Sequence, residues 1–197
     1  LEYEQVDAAL EGCEAAYYLV HSMGSAHDFA DADRTAASNF AKAAESNKLR
    51  RIVYLGGLGS DDELSSHLSS RHEVGAVLAG GTTPVTELRA AVVIGSGSVS
   101  FEMLRYLTEV LPVMTTLRWV ETKCQPIAIR DVLTYLVASL DDQPGNNVYD
   151  IGGPDILTYR DLLDIYAEEA HLSKRLIIPV PVLTPTLSAL WIHLISP

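Results

Sequence analysis

Residues 51–59 read Arg-Ile-Val-Tyr-Leu-Gly-Gly-Leu-Gly, an apolar run that stops abruptly at a cluster of glycines. Residues 52–55 contain no charged residue, and a short uninterrupted apolar run of this kind indicates a strand buried on both of its faces. A long segment with helical spacing, residues 28–48, comes before this strand, with Phe29, Ala36 and Phe40 on one face. The stretch therefore predicts one strand–helix unit of a sheet that is covered on both sides.

The same alternation of strand and helix continues along the chain. Strands are predicted at residues 15–21, 52–55, 85–94 and 148–151, with shorter ones at 119–120 and 126–129, and helices at 28–48, 63–78, 101–111 and 131–140. Thr158 and Asp161 have the spacing of a helix capping box. Repeated alternation predicts an α/β fold with a doubly wound parallel sheet. Ligands of such sheets bind beyond the carboxyl ends of the strands, here the loops after residues 21, 55 and 93.

Composition excludes several classes of partner. The chain has 197 residues, 48% hydrophobic and 20% charged, which is typical of one globular domain. Its formal net charge of -12 argues against nucleic acid and against an anionic membrane surface. Prolines interrupt the apolar stretch at residues 176–197, so we expect no membrane span. Cys13 and Cys124 lie far apart and form no CxxC pair, which favours reduced thiols and a cytoplasmic protein.

Two glycine-rich segments are candidates for contact with a ligand. Residues 92–101 run from a strand through Gly95-Ser96-Gly97 into a helix, as a dinucleotide fingerprint does, but Ser100 stands where the third glycine belongs. Two strand–helix units also precede this segment, so an ordinary turn is the alternative. Gly56-Gly57-Leu58-Gly59 is not a phosphate loop, because no Lys-Ser or Lys-Thr follows it. Its glycines either let a ligand approach the strand end or form a flexible turn.

Five segments, in order, resemble the extended and atypical short-chain dehydrogenases, including the NmrA-like and NAD-dependent epimerase/dehydratase-like branches. AAYYLVH at 15–21 is similar to the fourth strand of that family, and RIVYLGG at 51–57 to its fifth. LRAAVVIG at 88–95 resembles the family's "LRPxxVxG", QPIAIRDV at 125–132 resembles "PIHVDDVA", and VYDIGGP at 148–154 resembles "YNIGGP". The resemblance implies a Rossmann-like sheet that binds NAD or NADP.

The resemblance also predicts an organisation for the chain. Residues 1–111 would be a partial NAD(P)-binding core that lacks its first strands, and residues 112–197 a small C-terminal substrate-side α/β segment of the same domain. The chain opens at Leu1 inside a helical pattern, without Met, so we expect an upstream piece with the glycine loop. A homo-oligomer or an additional domain beyond either end is a further expectation.

The family's catalytic Tyr-x-x-x-Lys falls on His67-Leu68-Ser69-Ser70-Arg71, and its serine position falls on Gly56 or Gly57. A histidine can exchange protons near neutral pH, whereas an arginine can hold ribose hydroxyls but cannot act as an acid or a base. His67 and Arg71 are therefore the predicted catalytic residues. The alternative is that they are neighbours on an exposed helix face with no catalytic role.

The predicted cofactor-binding residues lie after three strands, and they are His21, Ser22, Met23, Gly56, Gly57, Leu58, Arg71, Arg89, Ala90, Ala91 and Val92. No metal site is predicted, because His67, His72 and Glu73 do not have the HExxH order. A serine triad is disfavoured, since no G-x-S-x-G elbow is present. Two functions compete: an oxidoreductase or nucleotide-sugar epimerase-like enzyme acting on a small molecule, and an NmrA-like sensing or assembly protein that binds NAD(P) without turnover. A plain interaction scaffold is a third, less favoured class.

Overall fold

The computed structural model describes residues 1–20, 29–59, 66–116 and 118–179. Its helices are α1 (Tyr3–Leu10), α2 (Phe29–Ser46), α3 (Ser66–Ala79), α4 (Val99–Val110), α5 (Ile129–Ala138) and α6 (Tyr159–Glu169). Its strands are β1 (Ala15–Tyr18), β2 (Arg51–Gly57), β3 (Val85–Ala90), β4 (Val93–Ile94), β5 (Val113–Thr116), β6 (Lys123–Cys124), β7 (Ile127–Ala128), β8 (Asn147–Ile151), β9 (Leu157–Thr158) and β10 (Leu176–Pro179).

Two compact units make up the chain. The first comprises Leu1–Ala91 and Ile127–Gly152, and the second comprises Val92–Pro126 and Gly153–Pro197. Residues 127–152 return to the first unit and supply its fourth strand. Within the described residues, no helix is long and apolar enough to cross a membrane.

The sheet of the first unit has four parallel strands in the order β1-β2-β3-β8. Adjacent residues of β1 point to opposite faces. Tyr18 packs against Phe40 of α2 and Tyr54 of β2, whereas the Tyr17 hydroxyl donates to the carbonyl of Leu136 in α5. Helices therefore cover both faces, as the strand–helix alternation predicts.

The core of this unit lies mainly between the sheet and the first three helices. Small residues of α2 (Ala37, Ala43 and Ala44) are completely buried there, which lets the helix backbone lie close to the strands. Ile52 and Val53 of β2 are also completely buried, in agreement with a strand that is covered on both faces. At about 25 cal/mol per Å² of apolar surface, this burial is the main stabilising contribution to the unit.

The second unit has its own core. Strands β5 and β10 pair in parallel, and a cluster from α4, α6 and these strands buries Leu104, Met114, Leu163 and Ile177. Helix α6 starts at the predicted capping box, in which Thr158 accepts from the Asp161 amide and the Asp161 carboxylate accepts from the Thr158 amide and hydroxyl.

Two sequence-based expectations for secondary structure are wrong, and strand β5 was missed. The strand predicted at 85–94 is two strands, because the chain leaves the first unit at Ala91. Residues 119–120 belong to a 3-10 helix, Arg118–Glu121, since two apolar residues are too few to define a strand period. Strand β5 was not predicted, because Pro112, directly before it, indicates a connection.

Candidate functional site

The carboxyl ends of β2 and β3 bring five of the predicted cofactor-binding residues together. Gly56 and Gly57 pair in register with Arg89 and Ala90, and the amide of Leu58 donates to the carbonyl of Ala90 over 2.9 Å. The two glycines are therefore part of the strand, and the interpretation of residues 56–57 as a flexible turn is wrong.

Helix α3 fills the space beside Gly57. A Cβ atom placed on Gly57 would lie 2.5 Å from Cδ1 of Leu68 and 3.3 Å from Cδ of Arg71. A side chain at position 57 would consequently require the Leu68 side chain to shift. The absence of a side chain is thus explained by the close packing of helix and strand, which holds the stem of Arg71 at the end of β2.

Two polar contacts attach the same helix to the sheet. The Tyr54 hydroxyl donates to the carbonyl of Arg71 at 2.9 Å, and Nε2 of His72 lies 3.0 Å from the carbonyl oxygen of Gly57. Burial raises the pKa of Tyr54, although the positive charge of Arg71 opposes the shift. Tyr54 therefore remains a neutral donor, and the backbone of Arg71 is fixed to the strand.

Arg71 differs from the other arginines of this region. Its side chain is half-buried, and no residue within the described ranges accepts a hydrogen bond or ion pair from its guanidinium group. His67 precedes it by one helical turn in α3, and the side chain of His67 lies outside the described part of the chain. His72 and Glu73 are engaged elsewhere, His72 at Gly57 and Glu73 with Arg34 at 2.5 Å.

The remaining predicted site residues are distributed as follows. His21, Ser22 and Met23 lie outside the described residues. Ala91 is half-buried and is the last residue before the chain leaves the first unit, and Val92, which is buried, belongs to the second unit. The structure thus assembles Gly56, Gly57, Leu58, Arg71, Arg89 and Ala90 at one edge of one sheet.

The glycine segment at 95–101 is a turn that begins α4. Ser98 caps the helix, and the amide of Gly97, at φ +83°, donates to Oε1 of Glu102. Hydrogen bonds from Arg105 and from the Gly97 amide hold the pKa of Glu102 below its usual range. A carboxylate of the chain itself therefore occupies the start of this helix, where a dinucleotide fingerprint would present its amides to a pyrophosphate.

Sequence reasoning missed a buried carboxylate beneath this edge. Glu87 of β3 is only 4% exposed and pairs with Arg89, and it contacts Gly56 of β2 and Gly75 of α3. A charged residue inside a predicted strand and a glycine inside a predicted helix are both visible signals in the sequence. A cavity of about 320 Å³ on the same unit, lined in part by Tyr135, Asp142 and Tyr149, contains none of the predicted site residues.

No protein-family model matches the chain, and no curated protein sequence is significantly similar to it. Solved structures are similar. The UDP-N-acetylglucosamine 4-epimerase from Bacillus cereus has a TM-score of 0.74 at 15% identity and covers 98% of this chain and 81% of its own. The Bordetella bronchiseptica enzyme WbmH in complex with NAD+ has a TM-score of 0.73 at 16% identity, covering 98% and 73%. MoeE5 in complex with UDP-glucose and NAD has a TM-score of 0.73 at 14% identity, covering 90% and 69%.

At these identities, the similarity establishes the fold. The parallel order of β1, β2, β3 and β8, the helices on both faces and the match over at least 90% of the chain agree. The chain is an α/β protein with a Rossmann-like fold.

Proposed function

We propose that the carboxyl end of this sheet binds NAD or NADP and that the protein is an oxidoreductase or nucleotide-sugar epimerase-like enzyme acting on a small molecule. The observation that carries the proposal is the half-buried Arg71, fixed at the end of β2 with no described partner for its guanidinium group. The five ordered segments that resemble the family support it, as does the fold shared with enzymes whose structures contain NAD.

The residues present at this edge fit a nicotinamide cofactor. Backbone groups of 56–58 and 89–91 lie where parallel sheets bind ligands, and Arg71 offers charge-assisted donors. Arg71 would hold the hydroxyls of the nicotinamide ribose, and Arg89 would contribute a second positive group. When bound, the nicotinamide supplies hydride transfer. His67, one turn before Arg71, is the proposed group that exchanges a proton with the substrate.

Titration of the protein with NADH and NADPH, followed by nucleotide fluorescence and by calorimetry, tests the cofactor. We expect saturable binding of at least one of the two. The absence of saturable binding of either would rule out the proposed function, provided that circular dichroism shows the protein to be folded.

Turnover distinguishes the enzyme from a protein that only senses the cofactor. A panel of alcohols, ketones and UDP-sugars would be assayed for cofactor oxidation or reduction and for epimerised product. We expect the wild type to act on at least one compound and His67→Ala to lose at least tenfold in kcat, as general acid–base catalysis predicts. Binding without turnover across the panel would favour the sensing function, and full activity of His67→Ala would remove the proton-transfer role.

A further inference from the structure

A tyrosine hydroxyl is buried between the central strand β2 and the helix that packs beside it. Tyr54 of β2 is 3% exposed, and its ring makes an edge contact with Tyr18, with 5.9 Å between the ring centroids. A Cβ atom on Gly56 would lie 3.3 Å from Cε1 of Tyr54, so this glycine leaves room for the ring. A hydroxyl that is removed from water costs free energy unless it is hydrogen-bonded. The Tyr54 hydroxyl donates to the backbone carbonyl of Arg71 over 2.9 Å, and this bond ties the strand to α3.

The acceptor of this bond is a carbonyl inside the helix Ser66–Ala79. A helical carbonyl already accepts the amide four residues later, and its second lone pair can accept another donor. Burial raises the pKa of Tyr54, while the positive charge of Arg71 opposes the shift, so the hydroxyl keeps its proton and stays a donor. The bond therefore holds α3 to the strand without interrupting the helix.

Neighbouring contacts act on the same part of the helix. A Cβ atom on Gly57 would lie 2.5 Å from Cδ1 of Leu68, and Nε2 of His72 lies 3.0 Å from the carbonyl oxygen of Gly57. Leu68 and His72 thus dock the helix against the end of β2 from either side of residue 71. The Tyr54 bond fixes the backbone of residue 71 itself.

The side chain of Arg71 starts from this fixed backbone position. It is half-buried, and its Cδ would lie 3.3 Å from a Cβ atom on Gly57, so its stem lies at the end of the strand. An arginine whose backbone and stem are held before a ligand arrives loses less conformational entropy on binding than one that must first be ordered. The affinity of Arg71 for a ligand should therefore depend on a hydrogen bond that another residue makes.

We infer that Tyr54 is a positioning residue, whose hydroxyl fixes the backbone of Arg71 so that the guanidinium group meets the cofactor at the carboxyl end of the sheet. The inference rests on the proposed function, because it requires Arg71 to contact NAD or NADP. Tyr54 acts through Arg71 and needs no contact of its own with the cofactor.

The first test compares Tyr54→Phe, which removes one oxygen and keeps the ring, with Tyr17→Phe. Tyr17 is a matched control, because its hydroxyl also donates to a helical carbonyl, that of Leu136 in α5, over 3.2 Å on the opposite face of the sheet. Calorimetry would measure the dissociation constants for NADH and NADPH well below the unfolding temperature. We expect Tyr54→Phe to bind the cofactor roughly fivefold more weakly and Tyr17→Phe to bind it like the wild type.

A double-mutant cycle with Arg71→Ala separates positioning from a general loss of stability. Arg71→Ala keeps the backbone carbonyl, so the bond from Tyr54 persists while the guanidinium group is gone. We expect Tyr54→Phe to lower the melting temperature in both backgrounds, but to weaken cofactor binding only when Arg71 is present. An equal loss of affinity in both backgrounds would overturn the positioning role, and so would an unchanged affinity of Tyr54→Phe.

The outcomes distinguish this inference from the proposed function. If the wild type binds neither NADH nor NADPH, the proposed function fails together with the cofactor part of the inference. The ¹⁵N relaxation of the Arg71 Nε–H group, assigned with Arg71→Lys, then decides whether Tyr54 fixes Arg71. We expect this group to become more mobile in Tyr54→Phe and not in Tyr17→Phe, and unchanged relaxation in Tyr54→Phe would overturn the claim. Should Tyr54→Phe not fold in buffer, the same measurements are made in sucrose, which favours the compact state.

Discussion

An arginine lies near each end of the central strands β2 and β3, and the two differ in how their guanidinium groups are hydrogen-bonded. At the amino end, Arg51 is 4% exposed and donates to Oγ1 of Thr86 and to the carbonyls of Asp142 and Gln143. Thr86, Tyr149 and the Gln143 amide all donate to the carboxylate of Asp142. Both oxygens of that carboxylate are bonded within the unit, and the amino end is a closed network.

One arginine at the carboxyl end is held differently from Arg51. There Arg71 is held by its backbone and its stem, and within the described residues nothing accepts from its guanidinium group. A buried arginine whose donors are bonded internally stabilises the fold, whereas one that the fold positions without a partner is available to a ligand. The comparison teaches that satisfaction of the guanidinium donors, rather than the presence of an arginine, separates Arg51 from Arg71.

The largest expected effect is on stability at the amino end. Arg51→Met leaves Oγ1 of Thr86 and the carbonyls of Asp142 and Gln143 without this donor, so the free energy of unfolding should fall by about 3 kcal/mol. Urea unfolding would measure this loss of stability. Binding of NAD(P)H by the folded variant should be unchanged, and a large loss of affinity would show that the two ends are not independent.

The next effect is on binding at the carboxyl end. Arg71→Ala should weaken NAD(P)H binding by ~1–3 kcal/mol, as expected for the loss of a charge-assisted hydrogen bond, and change the free energy of unfolding by less than about 1 kcal/mol. Calorimetry at constant salt would measure the affinity. Arg50→Ala at the amino end is the control and should bind normally. Equal affinities for Arg71→Ala and the wild type would favour a surface role for this arginine.

A smaller effect tests the packing between α3 and β3. Gly75→Ala should destabilise the protein by about 1 kcal/mol, because overpacking against Glu87 exceeds the gain in helix propensity. In a Glu87→Ala background the same substitution should stabilise by about 1 kcal/mol, since only the gain in propensity remains. A double-mutant cycle by urea unfolding would measure the change of sign, and equal effects in both backgrounds would show that the glycine is not explained by Glu87.

The smallest effect concerns pH at the amino end. Burial raises the pKa of Asp142, but hydrogen bonds from the Gln143 amide, Thr86 and Tyr149, with the charge of Arg51, outweigh it and hold the pKa below its usual value. The stability linked to Asp142 is thus present above its unfolded pKa of about 3.9 and is lost as the pH falls through the lower folded value. Tyr149→Phe should lower the free energy of unfolding slightly at pH 7 and flatten its acid dependence, because one donor to the Asp142 carboxylate is lost. If the free energy of unfolding changes with pH equally in the variant and the wild type below pH 4, this account of Asp142 is contradicted.

The sequence predicted most of the sheet, because the apolar runs at 52–55 and 148–151 and the turns around them are local signals. Strand β2 extends two residues further than predicted, since pairing with Arg89 and Ala90 overrides the low strand propensity of Gly56 and Gly57. Glu87 was missed for a physical reason of the same kind. Its site depends on residues 31 positions back and 12 positions back in the chain, and no local pattern shows that Gly56 and Gly75 meet one carboxylate.

The sequence predicted which residues lie together at the strand ends. It did not predict the contacts that depend on packing of the helix against the strand. Gly56, Gly57, Leu58, Arg89 and Ala90 lie together, because parallel strands end at the same edge. The anchoring of Arg71 through Tyr54 and the bond of His72 to Gly57 could not be read from spacing, since they depend on how closely α3 approaches β2. The catalytic role of His67 stays a prediction.

The most direct test of the central claim is a titration of ¹⁵N-labelled protein with NADPH, following backbone amide and arginine side-chain signals. The account predicts saturable shifts concentrated at Gly57, Leu58, Ala90 and the arginines at 71 and 89, with no change at Arg51, Thr86 or Asp142. Saturable shifts confined to Arg51, Thr86 and Asp142, or none at Gly57 and Arg71 at saturating ligand, would contradict the assignment of the carboxyl end as the binding site.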